Sequence, residues 1–187
     1  MKKVAGKLLI ISLLVVLLVG CGSSSTKQIP EIVFMCFTDY SDLISFPYTP
    51  DPLYKMTFLD KNGNLYFTDN PYVCKLKYKE LVTEYEAGNL EGKIEFRTSC
   101  DENVLVEKYK ELLKVAANKE YEIVYPELIP EVVDVRIHWY GIFYDKDGEP
   151  HFIDLHRKEY SINLDSNDET ANALYKWYAE LEAQGKK

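Results

Sequence analysis

The stretch Lys55-Met56-Thr57-Phe58-Leu59-Asp60-Lys61-Asn62-Gly63-Asn64-Leu65-Tyr66-Phe67-Thr68 decides the fold. Two runs rich in aromatic and β-favouring residues flank Asn-Gly, a pair that accepts the positive φ of a tight turn. This is the strongest short-range hairpin signal a sequence carries. A second unit of the same kind lies downstream. Val132 to Tyr144 is the longest β-like run, Asp145-Lys146-Asp147-Gly148 turns it, and Phe152 to Leu155 is its partner, with Tyr160 to Leu164 as a continuation. The ten residues Asp60–Asp69 and Asp145–Asp154 share five identities, a weak hairpin–helix duplication at most, since Asp, Lys and Gly suit such turns anyway.

Further strands are expected at Ile32–Thr38, Lys93–Thr98 and Glu122–Tyr125. Tyr78, Leu81, Val82 and Tyr85 repeat at helical spacing, with Gly88 placed as a C-terminal cap. Ser99-x-x-Glu102 and Ser166-x-x-Glu169 read as capping boxes, in which a serine accepts from an early amide and a glutamate reaches back. Leu105, Tyr109, Leu112, Leu113 and Ala116 line the first of the helices they open. Leu174, Tyr175, Tyr178 and Leu181 line the second, with Gly185 beyond. The expected class is α+β: an antiparallel sheet of about seven strands, built from hairpins, with about three amphipathic helices in a single domain.

The N-terminus is of another kind. Lys2, Lys3 and Lys7 precede an apolar run from Leu8 to Val19, broken only by Ser12. A basic start, a short apolar stretch and a small residue before a cut are secretory signal features. A membrane span needs about 20 apolar residues, more than this run supplies. Leu18-Val19-Gly20-Cys21 resembles the lipobox of bacterial lipoproteins. The resemblance covers the first 21 residues. It implies a diacylglyceryl group on the Cys21 sulfur, Cys21 as mature N-terminus, and a lipid anchor on the extracytoplasmic face of the cell membrane. Residues 1–20 are then the signal peptide, 21–28 the lipidated N-terminus with a small, polar, flexible linker, and 29–187 a single globular domain.

The chain carries a net charge of −8. Residues 1–20 hold three lysines and no acid, so −8 less three positive charges leaves −11 on the mature protein. Such a domain is repelled by phosphate backbones, and nucleic acid is excluded as a partner.

Cys36, Cys74 and Cys100 remain after lipidation. Cys36 sits in a run apolar on both faces and reads as a small buried hydrophobe. If two of the three are bridged, the expected pair is Cys74 with Cys100, in more polar surroundings. No zinc spacing is present. Cys100 also falls at the first turn of a helix, where the dipole favours a thiolate, but Asp101 and Glu102 oppose that and no base is placed beside it.

The Asp-Lys-x-Gly segments do not fit an EF-hand, because glycine follows the first aspartate too soon. His138, His151 and His156 lie close in sequence, but strand periodicity puts His151 and His156 on opposite faces. A turn on Asp147-Gly148 would pair Tyr144 with His151 and Trp139 with His156. The motifs of common hydrolase, nucleotide-binding and zinc-protease classes are absent from the sequence. No catalytic residue, metal or cofactor is therefore assigned.

Aromatics give the remaining clue. Tyr40, Phe46, Tyr48 and Tyr54 flank a loop with Pro47, Pro50 and Pro52, outside any periodic element, and form the candidate ligand surface. The functional expectation is a non-enzymatic binding or interaction module for a protein or glycan ligand. Its rivals are a cell-envelope enzyme centred on a thiol or a carboxylate pair, and a structural or assembly lipoprotein.

Overall fold

The computed structural model describes residues 28–39, 55–125, 136–159 and 162–186. The fold is α+β. In chain order the described elements are β1 (Ile32–Asp39), β2 (Met56–Asp60), β3 (Asn64–Thr68), α1 (Pro71–Cys74), α2 (Tyr78–Glu86), β4 (Glu95–Ser99), α3 (Glu102–Ala117), β5 (Arg136–Tyr144), β6 (Pro150–Glu159), β7 (Ile162–Asp165) and α4 (Glu169–Gln184). The strands form one sheet in the order β4-β3-β2-β1-β5-β6-β7. All neighbours are antiparallel. Strand β1 is central because its residues are apolar on both faces, and it is flanked by two three-stranded meanders.

Each face of the sheet carries its own core. Helices α3 and α4 bury Leu105, Tyr109, Leu112, Val115, Leu174, Tyr178 and Leu181 against Phe34, Leu59, Leu65, Ile153 and Leu155. On the other face, Val73, Cys74 and Leu81 from α1 and α2 meet Ile32, Met56, Phe58 and Ile142. Each such side chain contributes about 1.5–3 kcal/mol when taken out of water. Gly141 stands inside β5 because a Cβ there would overlap the Leu112 side chain of α3. Strand glycines commonly mark such close approaches.

The two hairpin turns are built alike. Asp60 Oδ1 accepts from the amides of Asn62 (2.9 Å) and Asn64 (2.8 Å), and Asp145 Oδ1 from those of Asp147 (2.8 Å) and Glu149 (2.9 Å). Gly63 and Gly148 adopt φ of 81° and 80°. The shared sequence is thus a shared turn. The β5–β6 register departs from the expected one near that turn. Tyr144 pairs with Pro150 and Phe143 with His151, and an irregularity between Trp139 and Tyr140 then brings Trp139 opposite His156.

Neither expected capping box forms, and each helix is instead capped by an aspartate two residues beyond the expected serine. Asp101, not Ser99, caps α3 by accepting from Asn103 N at 2.8 Å. Asp168, not Ser166, caps α4 by accepting from Thr170 N and Ala171 N. A carboxylate reaches these amides with full charge, which the positive helix end favours over a hydroxyl. Gly88 ends α2 at φ 73°, as expected of a C-terminal glycine, whereas Gly185 keeps φ −73°. Glu122–Tyr125 supplies only an isolated bridge, Ile123 to Ser166. The four-residue α1, started by Pro71 and capped by Asn70, has too little periodicity to be read from sequence.

Candidate functional site

At one end of the α3/α4 face the sheet opens into a pocket of about 380 Å³. Cys36 and Thr38 of β1, Met56 and Thr57 of β2, Leu65 and Phe67 of β3, and Ile137 and Trp139 of β5 supply its walls, and Glu182 of α4 lies among them. Strand alternation brings most of these residues together, because every second side chain of adjacent strands points to the same face, while the Met56 side chain belongs to the opposite core. The end of α4 presses on β4 here: a Cβ on Gly185 would sit 2.7 Å from Arg97 Cβ.

The polar atoms of the floor are bonded to one another. Trp139 Nε1 donates to Glu182 Oε2 at 3.0 Å. Thr57 Oγ1 donates to Glu182 Oε1 and lies 3.1 Å from the Tyr178 hydroxyl. The Glu182 carboxylate is thereby held by an indole and a hydroxyl. Burial pushes the Cys36 thiol well above its ordinary range, and the nearby Glu182 charge adds to the rise. Burial, then Glu182, does the same to the Tyr178 phenol. The raised value keeps Cys36 in its thiol form as part of the wall.

The rim is cationic. Lys55, Arg97 and Lys186 all line the pocket. The Arg97 guanidinium lies 4.6 Å from the Phe67 ring centroid and 3.0 Å from exposed Glu95. Among the described residues neither Lys55 nor Lys186 forms an ion pair. Three cations against two carboxylates, Glu182 and the Glu95 paired with Arg97, leave a net positive mouth in a chain of net charge −8.

A second polar cluster occupies the other face, on β5 and β6. Asp154 Oδ2 lies 3.1 Å from His138 Nδ1 and accepts from Arg157 Nε (2.9 Å) and Nη2 (2.5 Å). Arg157 also donates to the Tyr125 hydroxyl. The His138 ring stacks on Tyr140 at 5.4 Å. This chain holds an imidazole beside a carboxylate, but among the described residues no serine, threonine or cysteine is bonded to it. It ties β5 to β6.

The histidines are dispersed. His151 bonds Asp145 at 3.0 Å and stacks on Phe143, while His156 is buried under Tyr175 with ring centroids 3.8 Å apart. The strand irregularity puts both toward the α3/α4 face, against the expectation of opposite faces, and His138 toward the other. Among the described residues no group of three or more His, Cys, Asp or Glu is placed to hold a metal ion.

The expected Cys74–Cys100 bridge is not made: both are free thiols, as is Cys36. Cys74 belongs to the core under α1 and α2, and Cys100 packs against the opposite core, so the sheet separates them. Burial raises the Cys100 thiol too, its own backbone opposing and Asp101 and Asp60 adding to the rise. Cys21, Tyr40, Phe46, Tyr48 and Tyr54 lie outside the described residues. The flanks of the segment carrying those aromatics, Thr38 and Lys55, are both pocket walls.

Sequence reasoning did not find Trp139, Glu182, Thr57 or the cationic rim. One signal was legible. Glu182 stands four residues after Tyr178 on the stripe that α4 buries, and a carboxylate on an apolar stripe asks for a partner. No protein-family model, curated protein or solved structure matches the chain.

Proposed function

We propose that this chain is a lipid-anchored, extracytoplasmic binding module that acts without catalysis, with its ligand seat in the pocket between β1–β5 and the end of α4. The single observation that carries the reading is the pocket itself. Its walls are mostly apolar, its floor polar atoms satisfy one another, and its charges gather at the rim. Ligand sites are generally preformed, apolar concavities with a few placed polar groups, and a volume of about 380 Å³ falls in their usual range.

Support for the anchor comes from the lipobox resemblance at Leu18-Val19-Gly20-Cys21. No helix among the described residues is long and apolar enough to cross a membrane. A diacylglyceryl group gives two chains, and two signals of this size are needed for stable anchoring. A protein or glycan ligand remains the proposed partner class at Tyr40, Phe46, Tyr48 and Tyr54, whose segment joins two pocket walls. Against a thiol-dependent enzyme stand the raised pKa values of Cys36 and Cys100, since the thiolate is the reactive form.

The test is a thermal-shift screen of small molecules on the wild type and on Ile137→Trp, which narrows the pocket from its wall. Compounds that stabilise the wild type are expected to lose that effect in the variant. Hits that stabilise both equally would place the ligand elsewhere.

A further inference from the structure

We infer that the pocket takes a small amphipathic anion: an apolar body against Leu65, Ile137 and Trp139, with its single anionic end group between Lys55, Arg97 and Lys186. This rests on the pocket being the ligand seat and names the class of ligand.

The charge pattern selects the sign. Trp139 and Thr57 of the floor both donate to Glu182. The floor therefore offers a ligand contact area and little unspent hydrogen bonding. Polar recognition falls to the rim, where Lys55, Arg97 and Lys186 are positive and the exposed Glu95 offsets one of them. A cationic end group would meet these like charges, which costs far more in a partly dehydrated mouth than in water. Glu182 keeps its negative charge, but it is bonded to Trp139 and Thr57 in the floor and is outnumbered by the three cations of the mouth. The Arg97 guanidinium is pre-oriented by the Phe67 ring beneath it and by Glu95 beside it. The overall negative charge of the chain makes the rim a local attractor on a repelling surface. The volume admits a ligand of roughly a dozen heavy atoms, smaller than a membrane lipid.

The experiment uses three probes of one shape: 4-phenylbutyrate, 4-phenylbutan-1-ol and 4-phenylbutylamine. Binding to the full chain is followed by Trp139 fluorescence in a Trp177→Phe background. The acid is expected to bind at least tenfold tighter than the alcohol, and the amine more weakly than either. In Lys55→Gln/Lys186→Gln, both positions being exposed, the acid should lose most of its advantage over the alcohol, Arg97 alone being left to hold the anionic end. Added salt should weaken only the acid. Equal or tighter binding of the amine would overturn the anion assignment and leave the pocket as a binding site. Failure of all three probes to bind would overturn the pocket reading itself.

Discussion

Trp139 donates its indole N–H to Glu182 at 3.0 Å, joining a strand next to the centre of the sheet to the last turn of the C-terminal helix. The bond closes the pocket floor and fixes where α4 ends on the sheet. Replacing Trp139 with Phe keeps most of the ring and removes the donor. The carboxylate is then left short of a partner in a partly buried place. The expected loss is about 1–3 kcal/mol, read as a lower urea midpoint at unchanged slope.

The paired turns separate two causes of strain. Gly63 and Gly148 share the same φ, but a Cβ at Gly63 would lie 2.6 Å from the Cys100 carbonyl oxygen, while one at Gly148 meets nothing within 4 Å. Gly148→Ala should cost about 1–2 kcal/mol, the left-handed penalty alone. Gly63→Ala should cost roughly 1–3 kcal/mol more, from overpacking against backbone. Urea titrations of the two variants check this, and equal losses would count against the packed turn.

The hairpins were legible from sequence because turn chemistry and period-two patterning act over a few residues. The register of β5 and β6 was legible only in part: Trp139 faces His156 as expected, but Tyr144 faces Pro150 and not His151. It depends on an irregularity at Trp139–Tyr140 that seats the His156 ring under Tyr175, a contact with a helix residue far along the chain. The pocket was illegible for the same reason. Cys36, Thr57, Leu65, Trp139 and Glu182 come from five different elements, and only the sheet order brings them together.

His156 makes stability depend on acid. Burial lowers its pKa below the ordinary histidine value, and Asn163 and Asp165 only partly offset this. A depressed folded pKa means that the stabilisation is full above the unfolded value near 6.5 and is lost as pH falls through the lower folded value. Denaturation midpoints should therefore fall below about pH 6.5, and less so in His156→Gln.

The opposite limb is set by thiols and phenols. Burial, with Asp69 adding, raises Cys74 to about 11, and burial raises Tyr109 to about 12. Raised folded values give stability that is present below the unfolded values and is lost as pH climbs toward the folded ones. Phenolate absorbance of the buried tyrosines should appear only above about pH 10–11, together with unfolding.

Thiol counting tests both the anchor and the cysteine pairing. At neutral pH, Cys36 and Cys74 should react slowly with a disulfide reagent, and Cys100 more slowly than a model thiol. In denaturant the lipidated chain should show three reactive thiols, Cys36, Cys74 and Cys100. A fourth would mean that Cys21 is unmodified, and one alone would mean that two are bridged. Cys21→Ser should abolish incorporation of labelled palmitate.

The most direct measurement follows the indole N–H signals of the two tryptophans in a ¹H–¹⁵N correlation spectrum as 4-phenylbutyrate is added. Trp139 lines the pocket, whereas Trp177 packs edge-on against Phe34 outside it. The Trp139 signal should move in a saturable way while that of Trp177 stays in place. If neither signal moves, or both move together, the pocket is not the seat of binding.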